Sequence, residues 1–122
     1  MTEFDFSRQR RLLTAGDYRW VFDKAAFKVS DQHLLILARP AQSSHSRLGL
    51  VIAKKHVKHA VDRNRIKRIL RESFRTLEQP LDPPMDIVVL ARKGLGELEK
   101  PVLHKLFGKQ WRRLAKKMTQ SA

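Results

Sequence analysis

Residues 63–75, with the sequence RNRIKRILRESFR, combine two patterns in one segment. Apolar side chains recur in and just after this segment at the spacing of one helical face: Ile66, Ile69, Leu70, Phe74 and Leu77. The pattern predicts an amphipathic helix that packs on a core, with Asp62 as its N-cap. Three prolines follow and are expected to end the helix: Pro80, Pro83 and Pro84.

The opposite side of this predicted helix is cationic. At roughly 100° per residue, the polar side chains form one row: Asn64, Lys67, Arg68, Arg71 and Arg75. Like charges at this spacing cost about 0.2–0.5 kcal/mol per pair unless a counter-charge is bound. The row therefore favours a phosphate backbone as partner, and a merely solvated basic face is the alternative. Only Glu72 interrupts the positive run, which supports the first interpretation.

Length and charge limit the class of protein. The chain has 122 residues, which predicts a single domain, and 26 Lys and Arg against 12 Asp and Glu give a net charge of +14. Such an excess is typical of a protein that binds a polyanion. The absence of cysteine excludes disulfides, thiolate zinc sites and cysteine nucleophiles. No apolar run approaches the ~20 residues of a membrane span, and the N-terminus MTEFDF lacks the pattern of an export signal, so we expect a cytoplasmic protein.

The remaining segments predict an α+β fold with the order α-β-β-β-α-β-α and a four-stranded sheet covered by helices. The first helix is expected to begin at Thr14 or Asp17 and to end near Lys24. Strands are predicted over 27–29, 33–39, 47–54 and 86–91, and a final helix over 97–117. Residues 1–11 are interpreted as a basic N-terminal arm and residues 118–122 as a tail.

Two aromatic residues suggest a second surface. Tyr18 and Phe22 are one helical turn apart, and such rings can stack on the bases of single-stranded nucleic acid. A pair with this spacing is more often part of an ordinary core. The residues alone leave both interpretations open, with core packing the commoner one.

The sequence does not predict catalytic side chains or a metal site. The acidic residues are scattered, whereas a metal-dependent nuclease needs clustered carboxylates. His56 and His59 form the only close histidine pair, and they lack a third ligand of the zinc-binding kind. The pattern indicates a protein that positions RNA, and a ribosomal-type structural RNA-binding protein fits the same composition.

Several segments together resemble the bacterial ribonuclease P protein component. Arg63-Asn64-Arg65-Ile66-Lys67-Arg68, preceded by Lys54-Lys55, looks like the basic signature of that family. Residues 47–55, RLGLVIAKK, and 86–93, DIVVLARK, are similar to the strands on either side of the signature. Residues 11–22 resemble the family's first helix. The likeness as a whole covers roughly residues 4–115.

The resemblance implies a protein subunit that acts with a catalytic RNA to remove the 5′ leader of precursor tRNA. The RNA subunit would carry out hydrolysis with bound magnesium, one protein would bind each RNA, and the protein itself would hold no cofactor. The residues implied to bind the RNA subunit are Lys54, Lys55, Arg63, Asn64, Arg65, Lys67, Arg68 and Arg71. Those implied to bind the leader are Tyr18, Phe22, Arg92 and Lys93.

The resemblance also implies an unusual connection in the sheet. Crossovers between parallel strands are right-handed in about 98% of cases. The family instead has a left-handed crossover through the basic helix. We therefore expect the left hand here.

Overall fold

The computed structural model describes residues 11–12, 14–77 and 81–120. The elements, in chain order, are helix α1 (Ala15–Asp23), strands β1 (Phe27–Ser30), β2 (Leu34–Pro40) and β3 (Arg47–Val51), helix α2 (Ala60–Arg75), strand β4 (Met85–Ala91) and helix α3 (Lys100–Gln120). A short 3₁₀ turn, Leu95–Glu97, precedes α3. This order confirms the predicted α+β arrangement.

The four strands form one mixed sheet in the order β1-β2-β4-β3. β1 pairs antiparallel with β2, and β2 pairs antiparallel with β4. β3 is parallel to β4 in a register that aligns Arg47 with Asp86 and Gly49 with Val88. Helix α2 makes the crossover between these two parallel strands, and its left hand stays a prediction from the resemblance.

The sheet separates two apolar clusters. The larger one lies between the sheet and helices α2 and α3, and its fully buried side chains include Ile66, Ile87 and Leu103. The smaller one lies on the other face of the sheet, where Val21 of α1 packs with Leu12 and Val88. Helix α1 is therefore on one side of the sheet, and the α2–α3 layer is on the other.

The helix ends show which local predictions hold. Thr14 is the N-cap of α1, and its side chain and that of Asp17 cap each other's backbone N–H groups at 3.1 Å. The prediction of Asp62 as the N-cap of α2 is wrong. The helix begins at Ala60 with His59 as N-cap, because the His59 carbonyl already accepts the backbone N–H of Arg63 at 3.0 Å.

The chain end also differs from the prediction. Residues 118–120 belong to α3 and not to a tail, because Met118 packs into the larger apolar cluster. Pro101 is the second residue of this helix, where its missing N–H leaves no hydrogen bond unmade. At the other end, Arg11 forms a parallel bridge with Leu48, and residues 1–10 of the predicted arm lie outside the described residues. In the described ranges, no helix is long and apolar enough to cross a membrane.

A buried ion pair joins α1 to the sheet. Asp86 is fully buried on β4, and both its carboxylate oxygens accept hydrogen bonds from the Arg47 guanidinium at 2.9 Å. A third donor of Arg47 reaches Asp17 on α1 at 3.5 Å. The two carboxylates raise the pKa of Arg47, with the Asp86 hydrogen bond as the largest cause. This contact fixes the start of α1 over the paired ends of β3 and β4.

Candidate nucleic-acid interface

The cationic row predicted on α2 lies on one side of the helix. We call this row the α2 row, and its members line one shallow groove. They are Asn64, Lys67, Arg68, Arg71 and Arg75. Asn64 and Arg68 are exposed, and the others are partly exposed. The opposite side of α2 is buried through Ile66, Ile69 and Leu70. The helix is thus held by its apolar side while it presents positive charge to solvent.

The other two arginines of the signature hold the backbone around α2. The Arg63 guanidinium donates to the carbonyls of Val57 and Lys58 at 3.0 and 2.9 Å, which ties down the loop before the helix. The Arg65 guanidinium donates to the carbonyls of Gly96 and Leu98 at 3.3 and 3.2 Å. Both side chains are therefore engaged by the protein, whereas Lys54 and Lys55 are exposed in the turn after β3.

Arg71 connects the α2 row to α1. Burial lowers the pKa of Arg71, the nearby positive charge of Arg11 lowers it further, and Tyr18 acts in the opposite direction. The charges that act on Arg71 therefore include groups outside α2.

Tyr18 is locked in place by the strand beneath it. Its hydroxyl oxygen accepts the backbone N–H of Leu50 at 3.2 Å. A Cβ added at Gly49 would lie 2.7 Å from the Tyr18 ring, so the ring rests directly on the strand at a position that only glycine leaves free. The ring packs against the smaller apolar cluster and remains partly exposed, so one side chain combines a core contact with an accessible surface.

Phe22 lies on α1, one helical turn after Tyr18, and is 45% exposed. Beyond α1, the sheet face presents Leu37, Val51 and Leu90, all partly buried. We call this apolar strip, together with Tyr18 and with Phe22 one turn further along α1, the sheet groove.

Arg92 and Lys93 lie at the far end of the sheet groove from Tyr18. Gly49, beneath Tyr18, is level with Val88, and four residues of a strand span about 13 Å. The Arg92 guanidinium donates to the Ser30 hydroxyl at 3.0 Å and to the Asp31 carbonyl at 2.7 Å, so it holds the β1–β2 turn. Lys93 is exposed.

Two features of the structure were missed from the sequence. The support of Tyr18 by Gly49 joins residues 31 positions apart, and no local pattern signals it. The second feature is a cationic row on α3, whose members are Lys105, Lys109, Arg112 and Lys116. Their spacing of four, three and four residues is the same helical signal that marks the α2 row.

Within the described ranges, no three His, Asp or Glu side chains converge in a way that could hold a metal ion. His56 is partly exposed and His59 is exposed in the loop and N-cap that precede α2. The arrangement as a whole therefore consists of cationic and aromatic contact surfaces. It defines a small basic protein of the RNA-binding class.

Comparison with known proteins identifies the family. A family model described as Ribonuclease P matches residues 6–115. A "Ribonuclease P protein component" of Pseudomonas putida is 57% identical over 116 residues, covering 95% of this chain and 86% of the relative. The protein of the same name from Pseudomonas aeruginosa is 57% identical over 114 residues, covering 93% of this chain and 84% of its own.

Solved structures agree with these matches. The RNase P protein of Thermotoga maritima is 31% identical with a TM-score of 0.67, covering 84% of this chain and 96% of that one. A Staphylococcus aureus RNase P protein shares the fold, with a TM-score of 0.71 at 24% identity over 88% of this chain and 93% of that one. The chain belongs to the family of bacterial ribonuclease P protein components, which are the protein subunits that function with the ribonuclease P RNA. The match favours this family over the ribosomal-type alternative.

Proposed function

We propose that the α2 row binds the RNA subunit of ribonuclease P and that the sheet groove binds the 5′ leader of precursor tRNA. The observation that carries the proposal is the separation of the two surfaces by the sheet. The α2 row lies in the α2–α3 layer, and Tyr18 and Phe22 lie on the other face. Two faces of different chemistry suit two RNA ligands, because cations bind a folded phosphate backbone and exposed rings stack on unpaired bases.

In this proposal the two halves of the signature have different roles. Lys67, Arg68 and Arg71 neutralise phosphates directly, and Asn64 lines the same groove. The exposed Lys54 and Lys55 add positive charge in the turn after β3. Arg63 and Arg65 hold α2 and its preceding loop in position through backbone carbonyls. At the sheet groove, Tyr18 and Phe22 contact the leader bases, and Arg92 and Lys93 add positive charge at the far end.

The chemistry is assigned to the RNA subunit, with one protein bound to each RNA. Among the residues that the structure describes the carboxylates are scattered, which supports this assignment because a protein-held magnesium site needs several oxygen ligands together. Magnesium ions held by the RNA would supply the activated water for hydrolysis. The protein's own part is to lower electrostatic repulsion and to retain the leader.

The RNA-subunit contact is tested with Arg68→Ala. Arg68 is exposed in the α2 row, and losing one phosphate contact should reduce the slope of log K against log salt by roughly one unit. Binding to a bacterial ribonuclease P RNA transcript would be measured between low and moderate salt. Arg19→Ala, which removes an exposed arginine on α1, is the matched control and should leave the slope almost unchanged. Equal slopes for the two variants would contradict the proposed role.

The leader contact is tested with Phe22→Ala. Loss of a stacking ring should weaken the binding of precursor tRNA by about 1–3 kcal/mol and leave mature tRNA binding nearly unchanged, in the presence of the RNA subunit. Val102→Ala is a suitable control, since Val102 on α3 is 47% exposed, close to the 45% of Phe22. If Phe22→Ala weakens both tRNAs equally, the ring has a packing role and the leader assignment is wrong.

A further inference from the structure

The outer side of α3 carries a second cationic row. Its members, the α3 row, are Lys105, Lys109, Arg112 and Lys116. All four side chains are exposed and lie on the side of the helix opposite the buried Leu103, Phe107 and Leu114. The whole segment 100–120 contains no acidic residue. Like charges three and four residues apart repel one another, and no acidic side chain of α3 offsets this repulsion.

Contacts on the inner side of α3 fix the direction in which the row points. Gln110 is fully buried and donates to Asp31 at 3.3 Å. Arg113 donates to the Ser30 carbonyl at 3.1 Å, and Lys117 donates to the Lys28 carbonyl. The cations that face β1 thus have protein partners. In the part of the chain that the structure describes, no ion pair or hydrogen bond engages the four side chains of the α3 row.

The geometry points to the α3 row as a docking surface for the phosphate backbone of a double-helical segment of the ribonuclease P RNA. The row is about 16 Å long at ~1.5 Å per residue. The phosphates of a duplex lie along two backbones that wind past a straight row, so each of the four cations can contact a phosphate of one strand or the other. The row thus offers up to four phosphate contacts.

A duplex suits this surface better than an unpaired strand. Single-stranded RNA is held by exposed rings beside cations, and both Phe107 and Trp111 of α3 are buried. Double-helical RNA is recognised through its backbone and shape and needs no stacking partner. The α3 row has the chemistry of the second kind of site.

The position of the row selects the RNA subunit over precursor tRNA. Helices α2 and α3 pack together on one face of the sheet, where the Trp111 indole N–H donates to the Ser73 hydroxyl at 2.9 Å. The sheet groove is on the other face. A large folded RNA that occupies the α2 row can also reach α3, whereas a leader in the sheet groove lies across the sheet from it. This inference rests on the proposed function, since it assigns a second contact to the same RNA.

The test compares two variants with equal charge. The α3-row variant carries Lys105→Gln, Lys109→Gln, Arg112→Gln and Lys116→Gln. The control variant carries four scattered exposed changes, Arg19→Gln, Lys24→Gln, Lys58→Gln and Lys100→Gln. Glutamine retains helix propensity, and thermal unfolding of both variants verifies the fold. The milder Lys109→Gln/Arg112→Gln variant should give about half the effect of the full α3-row variant.

Binding to a bacterial ribonuclease P RNA transcript is the first measurement. We expect the α3-row variant to reduce the salt slope by about two to four units and the control to reduce it by less than one. Backbone footprinting should show protection of a base-paired segment that is lost in the α3-row variant. A Lys67→Gln/Arg68→Gln variant, which disrupts the α2 row, should lose a different protected segment.

Several outcomes would overturn the inference. Slopes that match the control would make the α3 row a solvated face, and a loss confined to precursor tRNA would assign it to the other RNA. Lost protection in an unpaired segment would contradict a duplex partner. If the α2-row variant loses binding while the α3-row variant does not, only this inference fails. If neither loses binding, the proposed function fails as well.

Discussion

Gly49 determines where the Tyr18 ring lies. The ring rests on the strand where a Cβ would approach its Cε2 and Cζ atoms to 2.7 Å. We therefore expect Gly49→Ala to displace the ring and to break its hydrogen bond from Leu50, at a cost of about 1–3 kcal/mol in the free energy of unfolding. Urea denaturation of the purified protein measures this change.

Gly16 provides the control for this substitution. It lies in α1, and an added Cβ would meet only the Thr14 hydroxyl, at the ordinary contact distance of 3.6 Å. Gly16→Ala should keep or raise stability by up to about 1 kcal/mol, because alanine is the better helix former. A Gly49→Ala variant as stable as Gly16→Ala would mean that Tyr18 moves freely, and its ring would then not be a fixed contact surface.

Sequence periodicity predicted on which side of α2 a residue lies, because the helix alone sets that pattern. The α2 row lies as predicted because a regular helix repeats its faces every few residues. The periodicity did not reveal that Arg63 and Arg65 bind carbonyls, since the acceptors of Arg65 are residues 96 and 98. The same limit applies to Tyr18, whose two support residues are on β3.

At the scale of the elements, Arg65 connects α2 to the segment that leads into α3. Its guanidinium donates to two carbonyls, and Arg65→Gln would leave these partly buried acceptors without that partner. We expect a loss of about 1–3 kcal/mol in unfolding free energy. The substitution should lower the free energy of unfolding and leave the salt slope of RNA binding close to that of the unchanged protein.

Lys67→Gln is the matched substitution on the α2 row. It should weaken RNA binding and leave thermal unfolding nearly unchanged, because Lys67 contributes charge to the groove and has no described protein partner. Unfolding curves and RNA titrations of the two variants separate the two roles. Identical profiles for both variants would refute the division of the signature into holding and binding residues.

The order and kind of the elements were predictable, and their ends were less so. The first turn of α2 is set by the loop before it, where Val57 is buried and Arg63 holds two carbonyls. Asp62 has a typical N-cap side chain, yet this contact moves the start of the helix three residues upstream. Likewise, Met118 is held by a core that only the folded chain forms.

At the scale of the whole molecule, the contact between Arg47 and Asp86 joins three elements. Breaking a buried ion pair from one side leaves an uncompensated charge, so Arg47→Met, which strands the fully buried Asp86, should cost about 3–5 kcal/mol of unfolding free energy. Removing both partners in Arg47→Met/Asp86→Ala should cost less than the sum of the two single changes, with a coupling of about 1–3 kcal/mol. Additive losses in denaturant unfolding would show that the two side chains act independently.

The assembly of the two surfaces could not be predicted from composition and periodicity alone. Those features indicated a polyanion partner and left the aromatic pair between core packing and stacking. In the structure the Tyr18 ring packs on the smaller apolar cluster and is still partly exposed, so core packing is confirmed and stacking on bases stays a prediction. The resemblance supplied what periodicity could not, namely the assignment of two RNA ligands.

The bridge between Arg11 and Leu48 has a practical consequence for anyone who shortens the chain. The backbone N–H of Leu12 donates to the Leu48 carbonyl at 3.1 Å, so residues 11 and 12 cover part of the outer edge of β3. An unshielded border of this kind invites strand addition by a neighbouring molecule. Deleting the leading residues to remove their positive charge would also alter self-association, and light scattering must accompany any affinity measured on such a truncation.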